Sequence, residues 1–436
     1  MLFEESVIDG IIVYVYSGCI YQENIFMETI MIIAKHKNDL NDKFINQFGS
    51  SPSVLISSPG RTELGGNHTD HQNGQVLAAA VNLQVSAAVA GGGVPDAANE
   101  FGSLVEIYSE GFGLVKLDIT DLSPCEDEVG TTAGLVRGVL AGLVDQGFKV
   151  GGFKAYIISD VPPGSGLSSS AAFEVLIGRI QSELYNEGSV SPVELARIGK
   201  FAENEYFGKP CGLMDQMASA FGGIIYIDFA YDDCPIIEEI DFDFDKCGYK
   251  LCITNTGGSH ADLTDEYAAV LAEMMAVAEL FGQEKLRGIT TEQIIEKATD
   301  IRDKAGDRAL LRALHFAGET ERAKAQAEAL KDGNFGEFLR LVKESGDSSY
   351  KLLQNIYAGD TGGACVGGGD QPIAVGLAVS EAVLGEDGVC RVHGGGFAGT
   401  IQAFVKNEAV GRYKEVMDKL FGDGACMVMK IGAEND

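Results

Sequence analysis

Three short stretches concentrate the side chains that could do chemistry. The first, Ser57 to Gly74, reads SSPGRTELGGNHTDHQNG. Nine of its eighteen residues are Gly, Pro, Ser or Asn, a composition that argues against a plain helix or strand. Within it stand Arg61, Glu63, Asn67, His68, Asp70 and His71, a density of donors and acceptors suited to a small polar ligand. The second, PPGSGLSSSAA over residues 162–172, is a proline–glycine turn that opens directly into a helical pattern. Glycines let backbone N–H groups approach a ligand, and the helix start adds its positive dipole end. Ser168, Ser169 and Ser170 add hydroxyls and candidate magnesium ligands. From the spacing alone, the stretch is either a phosphate cradle or an ordinary serine-capped turn. The third, CGLMDQMASAFGG over residues 211–223, sets Asp215 beside Leu213, Met214 and Met217. A carboxylate there is costly unless it is paired or used. A salt bridge or helix N–H groups would satisfy it as well as a reaction would.

Other chemistries are excluded. G-x-x-x-x-G-K-[ST] occurs nowhere, since RIGKF has no hydroxyl after its lysine, and the H-R-D and D-F-G signatures of protein kinases are missing. GGGFAG (394–399) fits the dinucleotide fingerprint, but it runs into the strand-like TIQAFV and reads as a hairpin loop. The formal charge of 33 minus 64, or -31, argues against tracking nucleic-acid phosphates, but not against a nucleotide held by N–H groups and a metal. The nine cysteines contain no C-x-x-C pair, so reduced thiols and a cytoplasmic location are expected. No apolar run of about 18 residues predicts a membrane span. Acidic residues ahead of the first apolar stretch argue against a signal peptide. Residues 1–27 are expected to be an extension, as an upstream start codon would add.

The elements that must position these stretches follow from periodicity. Strands are expected at 52–58, 76–91, 103–110, 152–160 and 222–230, and helices at 131–147, 166–185 and 191–208. The pattern restarts after Asp232. A strand at 249–256 precedes helices near 261–281, 289–298, 308–331 and 334–345. A loop at 364–370, a helix at 372–384, a strand–glycine loop–strand unit at 388–405, a helix at 408–421 and a strand at 425–431 close the chain. Strands and helices mix without steady βαβ alternation, so the fold class is α+β. Two domains are expected, 28–234 and 235–436.

Taken together, the motifs resemble those of the galactokinase family, a branch of the GHMP small-molecule kinases, over about residues 50–436. PGRTELGGNHTDHQNGQVL is similar to the signature P-G-R-x-N-L-I-G-E-H-T-D-Y-x-x-G-x-V-L. PPGSGLSSSAAFEV resembles the family's phosphate loop, AENEYFGKPCGLMDQMAS the stretch with its catalytic aspartate, and RVHGGGFAGTIQAF its third glycine motif. The resemblance implies a GHMP kinase fold: an N-terminal domain like the second domain of ribosomal protein S5 and a ferredoxin-like C-terminal domain, with the site between them. It implies phosphorylation of the C1 hydroxyl of galactose by ATP with Mg2+. Asp215 would take or orient the hydroxyl proton, and Arg61 would hold Asp215 as a carboxylate. Asn67, His68, Asp70 and Tyr267 would contact the sugar. Pro163, Gly164, Ser165, Gly166, Leu167, Ser168, Ser169 and Ser170 would cradle the nucleotide, and Ser170 (or Ser169) with Glu203 would hold the metal.

The chain departs from the signature. Its Asn is Glu63, its Ile is Gly65, its Glu is Asn67 and the Tyr after T-D is His71. The resemblance places a carboxylate at position 67 near the sugar's C6 hydroxyl, so Asn67 predicts looser selection there. The aromatic residues usual near adenine are missing: that stretch reads TTAGLVRGV, and the chain has no Trp. A kinase for galacturonate, galactosamine or arabinose is the nearest rival, and a non-catalytic sugar sensor the rival from another class. Retention of Arg61, Asp215 and the serine loop favours an enzyme. The expected partners are small molecules only, with neither nucleic acid nor membrane, and a monomer is the default.

Overall fold

The computed structural model describes residues 39–92, 101–209, 211–231, 234–257, 263–356 and 371–432, together with the backbone of an antiparallel hairpin, β1 (Phe3–Ile8) and β2 (Ile11–Tyr16). The expected loop at 364–370 lies outside the described residues. After a helix over residues 39–48 (α1), the chain builds a seven-stranded sheet from β3 (Val54–Gly65), β4 (Gln75–Gly91), β5 (Leu104–Ser109), β6 (Gly113–Asp118), β7 (Phe153–Ser159), β8 (Ile224–Asp228) and β9 (Ile236–Ile240). Strand β4 is its spine: one edge pairs with β3, the other with β8 over its first residues and β7 over its last. Among these pairs only β5–β7 is parallel. The mixture fits the expected α+β class.

Two readings of this half need correction. The expectation that Ser57–Gly74 holds no plain strand is half right. Strand β3 runs on through Pro59 and Gly60 to Gly65, with register breaks at Pro59/Arg61 and Glu63/Gly65. The breaks absorb the residues that should end a strand, and the small Ala78, Ala79 and Ala80 of β4 face Glu63, Thr62 and Arg61. Helix α5 (Met214–Phe221) and the strands β6 and β9 went unread, because each is short and flanked by residues of the opposite propensity. The remaining helices are α2 (Thr132–Asp145), α3 (Ser169–Tyr185) and α4 (Pro192–Phe201). A capping box of Ser191 and Glu194 opens α4, which passes into a π turn, Ala202–Phe207.

Beyond residue 248 comes a four-stranded antiparallel sheet: β10 (Tyr249–Asn255), β11 (Gly388–Val392), β12 (Thr400–Lys406) and β13 (Cys426–Met429). Their order is β11-β12-β10-β13. The helices α6 (Thr264–Leu280), α7 (Thr291–Glu296), α8 (Ala298–Lys304), α9 (Asp307–Lys331), α10 (Phe335–Ser348) and α11 (Pro372–Leu384) lie between β10 and β11, and α12 (Val410–Phe421) between β12 and β13. The second, third, first, fourth strand order is the ferredoxin-like split βαβ arrangement. The expected helix at 289–298 is α7, which stops before Lys297, and a further helix, α8, follows it unexpected. Strand β9 carries the first sheet past the expected 234/235 division, and α9 packs across β3 and β4. One apolar core therefore includes Leu77 and Val81 of β4 together with Leu330 of α9 and Phe404 of β12.

Candidate active site

Arg61 sits in β3 just past the first register break, where its N–H donates to Leu167 O at 3.0 Å. Its guanidinium meets Asp215 with both ends: Nε donates to Oδ1 at 2.7 Å and Nη2 to Oδ2 at 2.8 Å. Nη1 donates to Gly166 O in the serine loop, and Ser168 Oγ donates to Asp215 Oδ2. The Asp215 side chain remains 34 % exposed, against 7 % for Arg61, so the carboxylate faces a cleft while its counter-ion is sealed behind it. Burial alone would raise the Asp215 pKa. The Arg61 charge and hydrogen bonds, with Ser168, outweigh this and hold it below the usual range. The product is a carboxylate ionised at any physiological pH, placed in the first turn of α5.

The serine loop abuts it. Ser168 takes a left-handed backbone (φ 56°) and caps α3 without a side-chain cap bond, which leaves the first N–H groups of α3 open to an anion. Gly166 (φ 70°) has no alternative, since a Cβ there would lie 2.6 Å from Thr400 Oγ1 of β12. Pro163 and Gly164 form the exposed tip. Ser165 and Leu167 turn inward instead: the Ser165 hydroxyl donates to Pro162 O at 2.6 Å and Leu167 is fully buried. These two shape the loop rather than face a ligand, and the Ser168 hydroxyl is spent on Asp215.

Ser170 Oγ donates to Glu203 Oε1 at 3.3 Å, and Lys209 Nζ donates to the same oxygen at 2.8 Å. A hydroxyl and a carboxylate are the hard oxygens that Mg2+ takes, and an ammonium already seated on Oε1 shows that this atom attracts cations. Among the described residues no three His, Cys, Asp or Glu converge as a metal cage. The set thus fits a Mg2+ held by few protein ligands and by substrate phosphates.

The polar loop after β3 closes the cleft. His68 (φ 57°) has Nε2 2.8 Å from Gly395 O and stacks on Tyr267 with ring centroids 6.3 Å apart. Tyr267 OH donates to Gly396 O at 2.9 Å. Asp70 is half-buried and accepts the His71 N–H at 2.9 Å. Burial raises its pKa, with His68 opposing. Gly212 lies so close that a Cβ would sit 1.9 Å from Asp70 Oδ2. Asp70, His68, Tyr267, Asp215 and the serine loop thus come together as expected.

Asn67 does not join them. It is fully buried, and its amide is saturated. Nδ2 donates to Gly394 O at 2.7 Å and to Glu63 at 3.2 Å, while Oδ1 accepts from Asn355 at 2.9 Å and Ser349 at 3.3 Å. With two donors and two acceptor sites engaged, nothing is left for a sugar hydroxyl, and the expected substrate contact becomes a structural one. Two of the four departures from the signature touch: Asn67 bonds Glu63, which Arg391 pairs with.

Sequence reasoning missed the residues that hold this loop. Glu319 Oε1 on α9 accepts the N–H groups of Gly66 (3.1 Å) and Asn67 (3.3 Å), and His315 Nε2 is 2.9 Å from Asn67 O. Thr320 Oγ1 accepts Gln75 N–H at 2.8 Å and Gln326 Nε2 donates to Leu64 O at 3.1 Å. These polar residues interrupt the buried stripe of α9, the one signal the sequence offered.

Residues 42–91 match the family model described as "Galactokinase galactose-binding signature", and residues 134–223 that of "GHMP kinases N terminal domain". The chain is 30 % identical to a galactokinase of Actinobacillus pleuropneumoniae serotype 3 (strain JL03) over 381 residues, covering 86 % of this chain and 91 % of that one. It is also 30 % identical to a galactokinase of Clostridium tetani (strain Massachusetts / E88), covering 87 % and 90 %. Among solved structures, galactokinase of Lactococcus lactis complexed with galactose aligns with a TM-score of 0.74 at 24 % identity, covering 92 % of this chain and 99 % of that one. A mevalonate kinase aligns at 0.58 and 18 %, covering 88 % and 100 %.

Proposed function

Since the chain belongs to the galactokinase family of GHMP kinases, we propose that it transfers the γ-phosphoryl group of ATP to the C1 hydroxyl of galactose. The observation that carries the reading is the Arg61–Asp215 pair, half open to a cleft between the serine loop and the polar loop after β3. The C1 oxygen attacks the γ-phosphorus while the bond to the ADP oxygen breaks, and the hydroxyl proton passes to Asp215. Because Arg61 keeps Asp215 a weak base, its first task is to orient the hydroxyl, and it takes the proton only as the oxygen bonds to phosphorus. Asp70, His68 and Tyr267 hold the sugar. The backbone of Gly164 and Gly166 and the first turn of α3 receive the phosphates. Mg2+, held by Ser170 and Glu203, would neutralise phosphate charge when bound. We assign the two loops to an N-terminal domain (28–234) and Tyr267 with the glycine hairpin to a C-terminal one (235–436), with β9 crossing back onto the first sheet.

The test is ATP-dependent phosphorylation across free galactose, galactosamine, galacturonate, arabinose and glucose, with the phosphate position assigned by NMR. Galactose 1-phosphate as the preferred product is expected. A better turnover of another sugar, or phosphate on any other carbon, rejects the assignment.

A further inference from the structure

Behind the cleft lies a buried polar cluster that the reaction does not use directly. Gln216 follows Asp215 on α5 and is fully buried. Its Nε2 donates to Glu203 Oε2 at 3.0 Å and to Glu174 Oε2 at 3.0 Å. A primary amide has two N–H groups; the two carboxyls take the short contacts, and Cys211 Sγ lies farther off at 3.7 Å. Glu203 is thereby gripped by one oxygen, while the other, Oε1, is turned toward Ser170 and Lys209. Glu203 stands in the π turn that ends α4, a local widening that recurs at functional sites. Glu174 lies one turn beyond Ser170 on α3, on the same face.

We propose that Gln216, anchored by Glu174, is the positioning residue of the metal site: it fixes the Glu203 carboxylate so that Oε1 is presented to the cation. Asp215 and the tie that sets the metal ligand are then neighbours on one helix. The proposal rests on the reading of Glu203 as a metal ligand. Two further atoms fit it. Glu174 Oε1 and Gln216 Oε1 are both buried without a hydrogen-bond partner, and such orphans in a native interior call for an explanation. Both lie at the Glu174–Gln216 contact that anchors the tie, where burial raises the pKa of the Glu174 carboxyl.

The experiment is Mn2+ binding to the full-length enzyme–ADP complex, followed by EPR, beside galactose binding by calorimetry and thermal melts. Gln216→Met keeps the volume and removes both donors. Outer-shell losses of this kind weaken metal affinity by about tenfold or more, and that is the expected result, with galactose affinity unchanged. Glu203→Gln should weaken Mn2+ at least as far. If Glu203→Gln loosens Mn2+ and Gln216→Met does not, the positioning role is overturned. If Glu203→Gln itself leaves Mn2+ affinity unchanged, the ligand reading fails instead. A drop in melting temperature accompanied by an equal loss of galactose and Mn2+ binding would mark a merely structural residue and also overturn the proposal. Should Gln216→Met fail to fold, Glu174 decides. Glu174→Gln preserves an acceptor and a donor opposite the amide and should stay near wild type, whereas Glu174→Leu should loosen Mn2+. Equal behaviour of these two variants overturns the anchor.

Discussion

Asp215 carries opposing demands in one side chain: it must be charged, partly buried and still reach a substrate. The two-point contact with Arg61 meets all three, because a fork of donors holds the carboxylate from behind. Replacing Asp215 with Asn keeps the size and removes the charge. We expect kcat to fall by about 10²–10⁴-fold while nucleotide binding, read by fluorescence titration, persists. Because the Asp215 pKa is depressed, the acid limb of kcat/KM should lie below the ordinary carboxylate range. Arg61→Lys offers a point charge in place of the fork and should move that limb upward; a pH–rate profile that stays put would contradict the pairing. The Glu63–Asn67 contact gives a second test. Asn67→Glu alone sets two buried carboxylates against each other and should cost about 3 kcal/mol or more in urea unfolding. The double exchange Glu63→Asn, Asn67→Glu restores one charge opposite Arg391 and should recover most of that loss. Additive effects in the cycle would show that the two positions do not communicate.

At the scale of elements, helix α9 supplies what a loop rich in turns lacks, namely partners for its backbone. Glu319 caps two N–H groups of the loop, and Ser345 donates to the same carboxylate at 2.6 Å. Burial would raise the Glu319 pKa, but Arg322, His315, Arg391 and Ser345 together lower it to about 2. A folded pKa below the unfolded value adds stability above about 4.3 that is lost as pH falls toward 2. His315 is lowered to about 4 and His71 to about 3, burial being the largest cause of each. Both are neutral in the fold and take up protons when unfolded, so their contribution is full above about 6.5 and is lost as pH falls toward those values. Stability should therefore decline from pH 6.5 downward, with histidines acting first and Glu319 joining below pH 4.3. Thermal melts from pH 7.5 to 4 measure the slope, and His315→Gln should flatten it. Glu319→Gln should raise the galactose KM more than the ATP KM, since the loop it holds carries His68 and Asp70.

Over the whole molecule, the charge of -31 makes self-repulsion a term in stability. A net charge this far from zero opposes the compact state, and salt with a Debye length of about 10 Å at 0.1 M screens it. The melting temperature should rise between 10 mM and 0.5 M NaCl; an unchanged or falling value would mean that local ion pairs such as Arg287–Asp228 and Arg137–Glu128 dominate instead. Among the described residues no helix is long and apolar enough to cross a membrane, and the seven described cysteines are free.

The motifs and their order were enough to bring the family, the reaction class and the strand-and-helix mixture within reach. Glycine, proline and serine at fixed spacing restrict the local backbone whatever surrounds them, so the serine loop and the glycine hairpin were legible one residue at a time. Asp215 was legible as a charge in an apolar run that must be answered, while Arg61 as its partner came from the family resemblance. What lay beyond the sequence depended on residues far apart in the chain. Asn67 looked like a sugar contact until Asn355 and Ser349, 288 and 282 positions away, filled its oxygen. Glu319 and His315 looked like ordinary polar residues of a long helix until α9 crossed β3 and β4 and laid them under the loop. Strand β3 ran through Pro59 and Gly60 because β4 takes up its pairing again beyond the register break, with Ala80, Ala79 and Ala78 opposite Arg61, Thr62 and Glu63. Local propensity acts within a few residues, while burial and hydrogen-bond satisfaction are decided by whichever segments meet in space, and that meeting is a property of the tertiary fold.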